Sequence, residues 1–385
     1  MVTGTGVICH AGLNLEETMK TLYAGRRSPA PPKRTKTSLE EAFPVFETED
    51  FPLDRTLTRT NNLLIRALDE AMQQARVVEE TWQNRRVGVA IGTTVGCTLN
   101  NEPFYRDFKA GKKPDITAVT RFLRSNPASF LSNEYSLTGP VATVANACSS
   151  GTDAIGLAKS WIERGLCDTA IAGGSDELSR ITYLGFISLM NTSRKPCMPF
   201  DKNRTGLNLG EGAGILILER EDLAVRRQAE PRGFICGYAS AADAYHPTAP
   251  HPEGRGLKTA ILAALQDAGI TPADIGFINA HGTSTVDNDR VEGRVLAELF
   301  SNRVPVVSTK AYTGHTLGAA GGVEAVFTIQ ALLDQRLPAT LGFNTADTEC
   351  GIIPTSRNTE VSAAFAMSTS LAFGGNNAVL IAGRC

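Results

Sequence analysis

An apolar, β-branched run that stops at a cysteine constrains this chain more than any other stretch. Residues 141–151 read V-A-T-V-A-N-A-C-S-S-G. Beyond them Ala154, Leu157, Ala158 and Trp161 recur at i, i+3, i+4 and i+7. That is the spacing of a helix with one buried face. Cys148 therefore falls where a strand hands over to a helix, at the helix N-terminus. Unpaired N–H groups and the positive dipole end there favour a thiolate. Free cysteine is also among the most buried residue types. These residues alone leave two readings open, a reactive thiol and a structural one.

The 385 residues exceed one ordinary core, which implies two domains or two fused halves. Apolar content of 42% and charged content of 20% fit a soluble globular protein, and a net charge of -2 gives no global field for nucleic acid. No apolar run is expected to reach membrane-spanning length, and the N-terminus lacks the basic and apolar regions of a signal peptide. The eight cysteines form no CxxC pair, which argues against a disulfide framework and for a reducing cytoplasm.

Taken in order, apolar runs predict strands at 2–7, 87–91, 169–174, 215–218, 234–240, 275–280, 304–308, 362–370 and 378–382. Helical spacing predicts helices at 15–23, 61–76, 256–268, 291–300 and 321–334, the last with Val323, Val326, Phe327 and Ala331 on one face. The basic, proline-bearing stretch 26–37 reads as a solvated loop, with a docking edge for an acidic partner as the weaker alternative. Residues 92–96 read as a turn. Residues 100–139 read as short helices and loops that cover a site or build an oligomer contact. The glycine-dense 206–214 reads as a turn. No Lys-Ser/Thr pair follows it and a strand comes next, so it is not a nucleotide site. The charged 219–231 is the expected connection between halves, 1–225 and 226–385. Segments 141–161 and 304–333 rhyme: each is a strand, a polar loop and an apolar-faced helix. Such alternation favours layered α/β architecture, and the rhyme suggests an internal duplication.

Two further loops carry chemistry. One is Asn279-Ala-His281-Gly-Thr283-Ser-Thr285. The other runs from Ser308 through Lys310, Gly314 and His315 to Gly322. Only five histidines exist, and two lie in these strand-end loops. Three chemistries fit one Cys and two His. One is acyl transfer through a cysteine thioester. Another is hydrolysis by a Cys–His pair, which leaves the second His and Lys310 unexplained. The third is a zinc site, which fits worst because local ligand spacing and an acidic cluster are missing.

The loops around Cys148, His281 and Lys310–His315, with Phe373-Gly-Gly-Asn376, together resemble the β-ketoacyl-[acyl carrier protein] synthases. The resemblance is to the KAS I/II type and to the ketosynthases of type II polyketide systems. It runs nearly end to end and includes the segments 2–7, 198–204, 210–214 and 243–246. It implies the thiolase fold, two similar α/β halves stacked as five layers α-β-α-β-α, usually in a dimer. It implies a decarboxylating condensation of acyl and malonyl groups that arrive on a carrier protein's phosphopantetheine. No cofactor or metal is expected.

The resemblance also implies roles. Cys148 would take the acyl chain, and His281 and His315 would support decarboxylation of the malonyl group. The backbone N–H groups of Cys148 and Phe373 would form an oxyanion hole. Lys310 would tune the site with Glu324 as its ion partner. Thr283, Thr285 and Thr248 would contact pantetheine, and Phe373 and Phe186 would gate and line the acyl pocket. The chain departs from the pattern in a short loop between Phe186 and Met198, in Met190 where such enzymes often carry a docking arginine, and in Asn146 and Asn377. These departures lean towards a specialised polyketide or polyene pathway. There the expected partners are an acyl carrier protein and either a second copy or a chain-length-factor-like homologue lacking the cysteine. A non-elongating partner of that kind is the alternative for this chain itself. A CoA-dependent thiolase-type enzyme is another, and it would want a second cysteine near 373–377.

Overall fold

The computed structural model describes residues 1–35, 37–82, 85–94, 102–301 and 303–385. Two mixed five-stranded sheets organise the chain. The first comprises β1 Val2–Cys9, β2 Val87–Gly92, β3 Val141–Val144, β4 Thr169–Asp176 and β5 Gly212–Glu219, in the order β1-β5-β4-β2-β3. The second comprises β6 Phe234–Ala242, β7 Ile275–Asn279, β8 Val306–Val307, β11 Phe365–Ala372 and β12 Asn376–Gly383, in the order β6-β12-β11-β7-β8. A short pair, β9 Arg336–Leu337 and β10 Thr359–Glu360, stands apart. Without it, the second order repeats the first position for position. The pairing senses repeat too: antiparallel, antiparallel, parallel, parallel. The rhyme seen between 141–161 and 304–333 is thus one part of a duplicated topology.

Helices complete five layers. Arg59–Ala75 packs outside the first sheet, and Arg255–Ala268 and Val286–Phe300 pack outside the second. Ser150–Glu163 and Ala320–Asp334 lie between the sheets and touch both. A helix with sheets on both sides has no face left for water. Accordingly Ala320–Asp334 is buried almost all round, not on one face alone. Its run Leu317–Asp334 is also 18 residues long and apolar enough to pass for a membrane span, contrary to expectation. With 83% of it buried inside the protein, that apolarity is accounted for by its central place.

The glycine-dense 206–214 is only partly a turn. Gly212 and Gly214 lie inside β5, which is buried along its whole length. A Cβ on Gly214 would stand 2.3 Å from the backbone nitrogen of Val323, so glycine is what lets the central helix approach the strand. Each strand glycine costs roughly 0.5–1 kcal/mol. Ile215, Leu216 and Ile217 each contribute roughly 1.5–3 kcal/mol by leaving water, which outweighs that cost.

The stretch 219–231 is pinned rather than loose. Glu219 is fully buried and accepts from Thr3 Oγ1 and Arg85 Nη1, both at 2.7 Å, and from Arg227; Glu221–Arg226 is helical. Loop 26–37 also turns inward in part, since Arg34 reaches the buried Glu211 at 3.0 Å. Among 100–139 the described elements are the helices Glu102–Lys109, Thr117–Leu123 and Pro127–Glu134. Most of the expected turn at 92–96 remains within view as Gly92, Thr93 and Thr94; Val95, Gly96, Cys97 and the residues on to 101 lie outside the described residues.

Candidate active site

After β3 the chain turns through Ala147, which takes a left-handed φ of +49°. A 3-10 turn, Ala147–Ser149, then feeds helix Ser150–Glu163. The strained turn is tied locally. Ser150 Oγ donates to the Ala147 carbonyl at 2.6 Å and accepts from Asn146 N–H at 2.8 Å. Asp153 accepts from Ser149 Oγ at 2.8 Å and from Asn146 Nδ2 at 3.0 Å.

Cys148 therefore sits two residues ahead of the α-helix, buried, and not at its first turn. Burial pushes its thiol up to about 11; N–H groups of Phe373 and Cys148 itself and the Lys310 ammonium pull the other way and lose. Here desolvation outweighs the pull of the nearby donors and of the helix end, so the thiol is raised where the helix N-terminus alone would lower it.

The second half uses the same device. After β8 come a short helix, Lys310–Thr313, then Gly314 and His315. Leu317 takes φ +56°, a 3-10 turn Leu317–Ala319 follows, and helix Ala320–Asp334 begins. The two central helices meet end to end. A Cβ on Gly151 would stand 2.7 Å from Gly322 N, so glycine permits the contact that brings the halves' two turns together.

His281 follows β7. Its loop is held from behind by two buried carboxylates one turn apart on helix Val286–Phe300. Glu292 accepts from His281 N and Gly282 N, both at 2.8 Å, and from Thr369 Oγ1 at 2.6 Å. Asp289 accepts from Phe200 N at 2.7 Å and Ser284 N at 3.1 Å. Such donors offset the cost of burying the carboxylates.

The ring of His281 meets Lys310 Nζ at Nδ1, 3.1 Å away, and Lys310 also pairs with Glu324. His315 Nδ1 accepts from Leu317 N–H at 3.2 Å. With Nδ1 accepting in both rings, the neutral imidazoles carry their proton on Nε2. Burial and the nearby Lys310 charge hold both histidines well below the ordinary imidazole value. The rings stand edge to face, centroids 5.2 Å apart. Asn208, within the glycine-dense segment, helps fix His315, whose N–H donates to the Asn208 carbonyl at 2.8 Å.

Between β11 and β12, Gly374 and Gly375 take φ +89° and +80°. This tight reversal needs glycine and leaves Phe373 at the site. Phe373 N–H lowers the value of the Cys148 thiol, against burial, while its ring stacks on Phe186 with centroids 5.3 Å apart.

Cys148, His281, His315, Phe186, Phe373, Thr248, Thr283 and Thr285 all line one cleft of about 280 Å³. Thr283 and Thr285 share a hydrogen bond of 2.9 Å, and Met190 is exposed at the mouth. Lys310 and Glu324 stand behind His281, outside the cleft lining.

Sequence reasoning missed the carboxylates that hold this arrangement. Asp289 and Glu292 had a signal, an i, i+3 pair just beyond the His281 loop. Asp176, at the end of β4, is the hub. It accepts from Thr93 Oγ1 at 2.5 Å, and from Thr94 N and Gly318 N at 2.7 Å. It so ties the loop after β2 to the turn after His315. Burial raises it to about 6.

Two topologically equal halves, one giving a cysteine and the other two imidazoles to a shared cleft, define an enzyme of the thiolase fold. The descriptions "Beta-ketoacyl synthase, N-terminal domain" and "Beta-ketoacyl synthase, C-terminal domain" match residues 1–224 and 232–344. The chain belongs to the β-ketoacyl synthase family. The 3-oxoacyl-[acyl-carrier-protein] synthase 2 of Synechocystis sp. is 33% identical, over 99% of this chain and 96% of its own. The solved ishigamide ketosynthase/chain length factor superposes with TM-score 0.94 at 30% identity, over 100% of this chain and 98% of that one. A type II polyketide ketosynthase bound to the hexaketide, in complex with its acyl-carrier protein, superposes with TM-score 0.91 at 27% identity, over 100% and 98%.

Proposed function

We propose that this protein catalyses a decarboxylating Claisen condensation between an acyl group and a malonyl group, each carried as a phosphopantetheine thioester on acyl carrier protein. One observation carries the reading: Cys148, Phe373, His281 and His315 line one cleft, and Nδ1 of each histidine is already engaged within the protein, which leaves Nε2–H as the free donor. The two imidazoles supply donors for one oxyanion, and the backbone N–H groups of Cys148 and Phe373 are the donors we assign to the other.

The steps follow from that division. Cys148 sulfur attacks the acyl thioester carbonyl, and the backbone N–H pair stabilises the oxyanion. The carrier's pantetheine thiol leaves, taking the proton that Cys148 gives up. Malonyl carrier protein then enters the vacated cleft. Its bond to the carboxylate breaks, CO₂ departs, and the electron pair moves onto the thioester carbonyl as an enolate. His281 and His315 stabilise that enolate by hydrogen bonds; each donor is worth roughly 3 kcal/mol. The enolate carbon attacks the Cys148 thioester, a carbon–carbon bond forms, and the cysteine sulfur leaves as a thiolate, which takes a proton from water to return to the thiol. The product is a 3-oxoacyl thioester, one two-carbon unit longer. Thr283, Thr285 and Thr248 bind the pantetheine arm, and Phe186 and Phe373 receive the chain. No cofactor takes part.

The halves 1–225 and 226–385 act as one catalytic unit, in the cytoplasm. The partners are the carrier protein and a second chain, a copy or a chain-length-factor-like homologue. The complete Cys148, His281 and His315 set favours the elongating role over a non-elongating one. Cys148 is the only cysteine lining the cleft among the described residues, which disfavours a two-cysteine thiolase reaction. Intact-mass analysis after incubation with acyl carrier protein tests the reading. The acyl adduct is expected on Cys148 and absent in Cys148→Ser. An adduct on another cysteine, or none, refutes it.

A further inference from the structure

Asp153 is a buried carboxylate that no step of the condensation uses. It stands on the first turn of helix Ser150–Glu163. Its Oδ2 accepts from Asn146 Nδ2 and Ser149 Oγ, which lie on either side of Cys148 in the chain. Its Oδ1 accepts from the Tyr238 hydroxyl at 2.8 Å, and Tyr238 belongs to β6 of the other half. One carboxylate thus joins both flanks of the nucleophile turn to a strand 85 residues further on.

The contact with Tyr238 is supported along the helix. A Cβ on Gly156 would stand 2.2 Å from the Tyr238 ring, so glycine gives the ring its place against the helix. Beyond Gly156, Lys159 pairs with Asp267 Oδ2 at 2.9 Å, and the same oxygen accepts from Tyr238 N–H at 2.9 Å. Asp153, Gly156 and Lys159 recur every third residue, a spacing that puts neighbours on one helix face. All three meet Tyr238 or the residue that anchors it.

The turn so held has a demanding shape. Ala147 is left-handed, a conformation that a residue with a Cβ keeps only where its surroundings impose it. The peptide after Ala147 carries the Cys148 N–H, one of the two donors assigned to the thioester oxyanion. The direction of the bend therefore sets the direction of that donor. The histidines are held by other groups: Glu292 takes His281 N–H, Lys310 meets the His281 ring, and Leu317 N–H meets the His315 ring.

We infer that Asp153 is a positioning residue for the thioester step alone. With Tyr238 it fixes the bend at Ala147, and through that bend it aims the N–H and the sulfur of Cys148. It takes no part in decarboxylation. The inference rests on the ketosynthase reading for the division into two steps.

Two readouts separate those steps. In the first, p-nitrophenyl acetate acetylates Cys148 without carrier protein; nitrophenolate leaves and is followed by absorbance, and the adduct is located by mass. In the second, CO₂ release from malonyl carrier protein is followed in a Cys148→Gln background. Asp153→Ala is expected to slow acetylation by roughly 10–10²-fold, the scale of a misplaced reacting group, and to leave CO₂ release within about twofold. Tyr238→Phe removes only a hydroxyl and should slow acetylation less. Added to Asp153→Ala it should change nothing further, because the two side chains act as one unit. Asp153→Asn keeps an oxygen for Asn146 and Ser149, and its NH₂ can donate to the Tyr238 oxygen. It should therefore restore most of the rate that Asp153→Ala loses. Unchanged acetylation in Asp153→Ala, an equal loss of acetylation and CO₂ release, or an Asn variant no better than Ala overturns the inference. The unmodified protein judges the ketosynthase reading separately. If it takes no acyl group from carrier protein on Cys148, that reading fails, and the nitrophenyl ester still tests Asp153.

Discussion

Lys310 reaches His281 at 3.1 Å, and the contact falls on Nδ1. An ammonium can only donate, so this nitrogen must accept, and the proton of the imidazole is left on the side facing the cleft. The lysine thus meets the histidine from outside the cleft lining.

Replacing Lys310 with Met frees Nδ1 and lets both tautomers compete. In a Cys148→Gln background, where malonyl decarboxylation can run without a nucleophile, Lys310→Met should slow CO₂ release. His281→Ala or His315→Ala should slow it further, each by about 10²-fold, the scale of one lost oxyanion donor. Radiolabelled malonyl carrier protein gives the readout. Unchanged CO₂ release in the histidine variants would remove them from the decarboxylation step.

The thiol of Cys148, pushed up to about 11 by burial, sets a second expectation. Below that value the thiolate fraction grows about tenfold per pH unit. Alkylation of the free enzyme by iodoacetamide should therefore keep rising from pH 6 to 9. A plateau near neutrality would show a resting thiolate.

Asp176 holds turns from both halves, so Asp176→Asn should depress Cys148 acylation and decarboxylation together. The amide oxygen can keep both Thr94 N–H and Gly318 N–H, which share Oδ2, but its NH2 then faces Thr93 Oγ1, whose hydroxyl must give up its present donation, a loss of about 1 kcal/mol in stability. The pH dependence has a definite sign. Burial raises this carboxyl from 3.8 to about 6, so between those values the folded chain binds the proton better than the unfolded one. Its contribution to stability falls as pH rises through that window. The Asn variant lacks this component, and melting curves across the window would show the difference in slope.

Phe186 lies flat against Phe373 and edge-on to His315. Phe186→Ala should open the cleft on the acyl side and shift the preferred chain upward in length. A panel of acyl carrier proteins, scored by Cys148 adduct mass, would reveal the shift. An unchanged profile would place the length limit elsewhere.

Much of this was legible in residue order alone. The hydrophobic periods placed the strands and helices that meet the site, because those elements are buried and their period follows the burial. The cysteine and both histidine loops stood out because glycines and polar residues interrupt apolar runs there. What stayed hidden depends on distance in space. Nothing local to Asp176 says that Thr93 and Gly318 converge on it from 83 residues before and 142 after. Nor could the order of residues weigh a dipole against desolvation at Cys148, since the depth of its burial is set by both halves. The helix Ala320–Asp334 read as one-faced because a neighbouring sheet on each side is a tertiary fact.

Ala147 and Leu317 share one more lesson. Both bend the chain left-handed ahead of a 3-10 turn and a central helix, at matching points of the two halves. One bend leads into Cys148; the other follows His315, and its Leu317 N–H donates to the ring's Nδ1. A condensation needs an electrophile parked and a carbanion made, and these are opposite demands on one small space. Doubling a single loop shape lets each copy specialise while their shared helix contact keeps the two tasks in register. The division of labour in the reaction is thereby written into the backbone, before any side chain is chosen.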